Sequence, residues 1–131
     1  MLINDDEARR SPTGGLSPIV WQTGHITLTD FGMARRAGDL TSPPEGYTEL
    51  FAPGTGGEAA YPPIASVSEA MERAHHVLEE VAKSADLDGP AESHNYATVG
   101  EMLIFAIYHR GYHIGKMTTL RALLGKKRLF G

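Results

Sequence analysis

His109 and His113 stand four residues apart in the stretch YHRGYHIGK, residues 108–116. On a helix this spacing sets two Cβ atoms about 5–6 Å apart, so both imidazoles can be aimed at one ion. A chain with six histidines offers such pairs easily, and the alternative is two polar residues at the edge of a helix. The pair also needs a third ligand. The zinc-protease pattern HExxH is excluded, because Arg110 follows His109 and no glutamate base stands there. His25 is the third candidate. It shares a helical face with Trp21, Leu28 and Gly32, where a lone histidine is more often a hydrogen-bonded core residue. Packing that face against the last helix would bring three imidazoles together. Three neutral nitrogen donors leave positions open on a metal, the pattern of a catalytic rather than a structural site. His75 and His76 are consecutive and His94 lies in a loop, so all three are expected at the surface.

The rest of the composition narrows the chemistry. The chain has no cysteine, which removes disulfides, thiolate zinc sites and a cysteine nucleophile together. With 16 acidic against 12 basic residues, the latter scattered, it lacks the clustered basic face of a nucleic-acid groove. The one basic run, Lys126-Lys127-Arg128, is expected as a solvated end complementing the last helix dipole. The N-terminus, MLINDDEARR, lacks the apolar region of a signal peptide. The longest apolar run, MLIFAIY at 102–108, is far short of the roughly 20 residues that span a bilayer. A cytoplasmic protein with no membrane and no nucleic-acid partner is expected. At 131 residues and 41% hydrophobic content it should form one globular domain, 1–131.

Three helices must position the histidines. The first, 17–37, has Ser17 as a candidate N-cap, Pro18 at the first helical position, and Gly38 to end it. The second, 66–85, opens with Ser66 and Glu69 at capping-box spacing. Its Val67, Ala70, Met71, Ala74, Leu78, Val81 and Ala85 form one apolar face. The third, 98–125, opens with Thr98 and Glu101 at the same spacing, carries the HxxxH pair, and meets Gly125 at its end. An N-terminal segment, 1–16, and a basic tail, 126–131, flank them. No strand pattern competes. The crossover, 38–66, holds five prolines and five glycines, and a segment of that length inside a domain is usually functional or mobile. Its GTGG is not a phosphate loop, since no Gly-Lys-Ser/Thr follows. Tyr47, Phe51 and Tyr61 are expected to anchor it over the bundle near one end, and its reach suits a link between parallel neighbours.

Two stretches carry a resemblance. SPIVWQTGHITLTDFGMARRAG is similar to the second helix of the DinB/YfiT-like family (DinB superfamily) of proposed metalloenzymes, with its Trp-x-x-Gly lead-in to a metal histidine. HRGYHIGKMTTLRALLG resembles that family's last-helix motif, His-x-x-x-His-x-Gly-Gln followed by an apolar stretch, an arginine and Leu-Leu-Gly. The resemblance runs from about Asp6 to the C-terminus. It implies an all-α, up-down-down-up helical bundle, here with three main helices and a long crossover loop. It also implies His25, His109 and His113 as ligands of one divalent ion, zinc first, with nickel, iron or manganese as alternatives. Lys116 departs from the family's glutamine. Facing the metal it would repel the ion or bind an anionic substrate, and it is expected to face solvent.

Characterised members of such families include transferases and isomerases that use bacillithiol or mycothiol. The implied function is therefore a metal-dependent enzyme, a hydrolase or thiol S-transferase, that activates water or a low-molecular-weight thiol cosubstrate for a small-molecule substrate. A non-catalytic metal-binding or stress-related bundle, and a dimeric interaction module without metal, are the other two readings. The family bundle has four long helices and this chain shows three, with INDDEARR long enough for only two turns. Apolar surface left uncovered in this way predicts a homodimer. Gly111 and Gly115 project roughly 160° away from the histidines. With Thr119 and Ala122 they form a row expected to admit a neighbouring backbone.

Overall fold

The structure, a computed structural model, describes residues 3–129. The outermost residues of the expected N-terminal segment and basic tail, 1–2 and 130–131, lie outside the described residues. Five helices follow in order: α1 (Asp5–Arg9), α2 (Ile19–Arg36), α3 (Tyr47–Phe51), α4 (Ile64–Ser84) and α5 (Val99–Leu123). Pro90 and Thr98 form an isolated bridge, and there is no strand among the described residues. No helix among them is long and apolar enough to cross a membrane. The all-α bundle with three main helices is the architecture expected.

The centre of the molecule is α2. Residues 19–27 are buried without interruption, because α4 and α5 flank the helix while α1 and α3 close on it. Its buried threonines remain compatible with a dry surrounding, since the Thr23 and Thr27 hydroxyls donate to the carbonyls of Ile19 and Thr23, each at 2.9 Å. One apolar cluster joins Ile19, Val20 and Ile26 to Val67, Ala70, Met117 and Leu120. A second joins Met33 and Ala34 to Leu78, Val81, Met102 and Ala106. The apolar face expected on the second helix is therefore the one buried, with Met71 and Ala85 at its half-exposed margin.

Several helix ends differ from expectation. Pro18, not Ser17, is the N-cap of α2, and no side chain caps it. The capping box expected at Ser66 and Glu69 does not form, because α4 begins earlier, at Ile64. Its cap comes from a distance: the Asp5 carboxylate of α1 accepts the Ile64 N–H at 2.7 Å. Thr98 does cap α5, accepting from the Glu101 N–H at 3.1 Å, but the Glu101 carboxylate reaches Ala97 rather than Thr98 itself. At the other ends Gly38 and Gly125 take positive φ. The N–H groups of Asp39 and Lys126 then return to Ala34 and Arg121, each closing a Schellman motif.

Short helices sit where irregular chain was expected. Asn4 and Glu7 form a capping box that starts α1, and Glu7 pairs with Lys126 at 2.5 Å. Lys126 is thus tied to the N-terminal segment rather than solvated. Part of the crossover is α3, and its aromatics are buried. Tyr47 meets Phe51 edge-on at 4.9 Å between ring centroids, and Tyr61 stacks on Phe51 at 5.8 Å. The glycine row on α5 is a clear departure: a Cβ at Gly111 or Gly115 would meet nothing within 4 Å. Among the described residues no neighbouring backbone approaches these glycines, and the row faces outward.

Candidate metal centre

The site begins with the five residues WQTGH, 21–25, of α2. Trp21 and His25, one turn apart, stack with centroids 4.6 Å apart and planes within 8°. The Trp21 indole N–H donates to the Thr55 hydroxyl at 2.8 Å, which ties the crossover to this helix. Gly24 leaves the space that Phe51 occupies: a Cβ there would lie 2.4 Å from the Phe51 ring. With the ring seated, the Phe51 carbonyl accepts from His25 Nδ1 at 2.8 Å. Gln22 completes the set. Its amide nitrogen donates to the Ser17 carbonyl at 3.0 Å, which turns its Oε1 toward His113 Nδ1 at 2.6 Å.

These bonds decide which way the imidazoles face. With Nδ1–H of His25 and of His113 donated to carbonyl oxygens, Nε2 of each ring carries a lone pair. All three Nε2 atoms converge. His109 Nε2 lies 3.2 Å from that of His25 and 3.1 Å from that of His113. Donor atoms of the three residues lie within 4.8 Å of one another. Tetrahedral zinc with Zn–N bonds of 2.0–2.1 Å requires nitrogen pairs about 3.3 Å apart, so the donor set fits a divalent ion. His109 Nδ1 is buried and has no hydrogen-bond partner among the described residues.

Burial keeps the cluster neutral. His113 is 5% exposed and His25 7%, and loss of hydration is the largest cause of the lowered pKa of each ring. His109 is pushed down to about 4, by desolvation and then by His25. His113 is pushed down to about 3, by desolvation and then by His109, His25 and Lys116. His25 is lowered by desolvation and the Lys116 charge, against the opposing pull of the Phe51 carbonyl. Neutral imidazole is the ligating form.

Lys116 is not simply solvated. Its ammonium lies 4.2 Å over the Tyr112 ring, and Tyr112 packs edge-on against His113 at 5.0 Å. The cation therefore sits at the margin of the histidine cluster. His75, His76 and His94 are exposed and do not join it. His75 instead meets Arg110 at 3.1 Å. Arg110 in turn pairs with Asp30, which is wholly buried. The burial raises the Asp30 pKa, and Arg110 opposes that rise.

Motif and connectivity point the same way as this geometry. The family model described as DinB superfamily matches residues 2–117, which include all three histidines and the whole of α2 and α4. The chain belongs to the DinB superfamily. Comparison with curated proteins gives no match, and neither does comparison with solved structures.

In this DinB protein, Gln22 and the Phe51 carbonyl were not legible in the sequence as partners of the histidines, although Phe51 was expected as an anchor of the crossover; nor was the Asp30–Arg110 pair. Gln22 had one local signal, an amide one turn ahead of a histidine in an otherwise apolar stretch. The Phe51 carbonyl had none, because any residue type supplies one.

Proposed function

We propose that His25, His109 and His113 bind one divalent metal ion and that the protein is a metal-dependent enzyme acting on a small molecule in the cytoplasm. The observation that carries this is the convergence of three neutral Nε2 atoms, two of them oriented through Nδ1–H bonds to carbonyl oxygens. Zinc suits three imidazoles; nickel, iron and manganese are the alternatives.

The residues present define what the protein contributes. Phe51 and Gln22 hold two rings in the ligating tautomer, the part that outer partners play at histidine metal sites. Trp21 stacks on His25 and Tyr112 packs edge-on against His113, so the two rings flank the cluster. His109, the most exposed of the three, marks the open side. A divalent ion there would supply a lowered pKa for a bound water or thiol, worth a nucleophile near neutral pH. With no cysteine in the chain, a thiol must arrive as a cosubstrate such as bacillithiol or mycothiol. Lys116, held on Tyr112, is placed to attract an anionic group of that cosubstrate or of the substrate.

Elemental analysis of protein purified without a histidine tag tests the site. About one divalent ion per chain is expected; His113→Ala should abolish it and His94→Ala should not. Full occupancy in a His25→Ala, His113→Ala double variant overturns the proposal. Turnover of bacillithiol or mycothiol conjugates by the loaded protein then separates a thiol-dependent enzyme from a metal-binding bundle.

A further inference from the structure

The outward face of α5 has a composition that solvent does not explain. Ile104, Ile107, Tyr108, Gly111, Tyr112, Ile114, Gly115, Thr118, Thr119 and Ala122 cover it over five turns, and none is charged. Ile104, Ile107, Tyr108 and Tyr112 are 69%, 74%, 68% and 53% exposed. The opposite face, with Met102, Ala106, His113, Met117 and Leu120, is buried. α5 thus carries an apolar stripe besides the one it buries, and its large side chains are left exposed among the described residues.

The surface beside it is also open. Both α4 and α5 pack on α2 and barely touch each other. A groove of about 340 Å³ runs between them, lined by Leu78, Ala82, Leu103, Ala106 and Ile107 with His75, Glu79 and Arg110 on its rim. Ile107 belongs to both groove and face, so the two are continuous.

We propose that this face is covered by a second copy of the chain, α5 against α5, in a two-fold dimer that crosses near Gly111 and Gly115. Three observations favour a second copy over a different partner. A two-fold contact sets a patch against itself, which a charged patch resists; here the Lys116 ammonium stands over Tyr112 at the margin, while the residues of this face about Gly111 carry no charge. The four large side chains alone leave roughly 600 Å² exposed, at the upper end for a soluble monomer. Ile114 and the backbone between them bring the patch toward the roughly 800 Å² that each partner gives to a stable interface. The glycines, with open space at their Cβ positions, let two helix backbones approach closely, which explains two helix-weakening residues on a surface face. Tyr112, which packs against His113, lies at the margin of this contact, whereas Ile107 and Gly111 near its centre are outside the histidine cluster.

The absence of cysteine makes the test direct. Sedimentation of the 131-residue chain across the micromolar range should give a dimer. Gly111→Leu, whose Cβ has open space for 4 Å around it, and Ile107→Glu should each weaken it about tenfold or more, with helix content and metal content unchanged. Under mild oxidant Gly111→Cys should crosslink the dimer, whereas His94→Cys should not. A wild-type monomer, whether alone or capturing a different protein, overturns the proposal. So does a dimer that Gly111→Leu and Ile107→Glu leave intact and Gly111→Cys fails to crosslink.

Discussion

Gly24 and Phe51 occupy one space: the Phe51 ring lies where the Cβ of any other residue at position 24 would be, 2.4 Å away. The glycine thereby seats α3 on α2, and the seating brings the Phe51 carbonyl to His25 Nδ1. Gly24→Ala must displace Phe51. Overpacking of this kind costs about 1–3 kcal/mol, even though alanine is the better helix former by roughly 1 kcal/mol. The expected result is a lower melting temperature together with weaker metal binding. Gly32→Ala, on the same helix with open space around it, should do neither. Chemical denaturation with parallel metal titration of the two variants measures both.

Gln22 bridges α2 and α5 through His113. Gln22→Leu preserves most of the buried volume and removes the acceptor that fixes the His113 tautomer. Loss of such an outer partner typically weakens metal affinity about 10–100-fold. Competition titration against a chromophoric chelator reads this, with near-unchanged circular dichroism as the control.

The Asp30–Arg110 pair should couple strongly. Asp30 is wholly buried and one of its oxygens, Oδ1, has no hydrogen-bond partner, while Arg110 bonds the other. Arg110→Met strands the carboxylate and should cost about 3 kcal/mol or more. Asp30→Asn combined with Arg110→Met should cost much less than the sum of the single changes. Urea unfolding of the four proteins in the cycle settles the coupling. Additive effects would mean that the pair contributes nothing as a pair.

Metal-free protein should lose stability as pH falls below neutrality. Unfolded histidines take up protons near pH 6.5, whereas folded His109 resists to about 4 and folded His113 to about 3. Between those limits the unfolded chain binds more protons than the folded one, so acid favours unfolding. The decline should start near pH 6.5 and flatten once the folded rings also protonate. His113→Gln should have a shallower slope over that window. Thermal melts in chelator from pH 7 to 4 provide the comparison; equal slopes would show that His113 is not held neutral by the fold.

What was legible in the sequence follows from local chemistry. The spacing of Val67, Ala70, Ala74, Leu78 and Val81 names a buried helix face, since helical periodicity is a property of neighbours in the chain. Gly38 and Gly125 mark helix ends for the same reason, because a left-handed C′ residue is a local requirement. His109 and His113 announce themselves as a pair for the reason that one helical turn joins them. The last-helix and Trp-x-x-Gly motifs were enough to draw His25 into the same set by resemblance.

Tertiary structure decided what depends on groups far apart in the chain. Asp5 caps α4 from 59 residues away, so no local reading of Ser66 and Glu69 could find that cap. Gln22 reaches His113 across 91 residues, and the Phe51 carbonyl reaches His25 across 26. Gly111 and Gly115 read locally as places for a backbone to approach, yet only the packing of α2, α4 and α5 shows that none does so among the described residues. The residue types at the site were set in the sequence. Their tautomers, their neutrality and the side left open were set by what the fold packed around them.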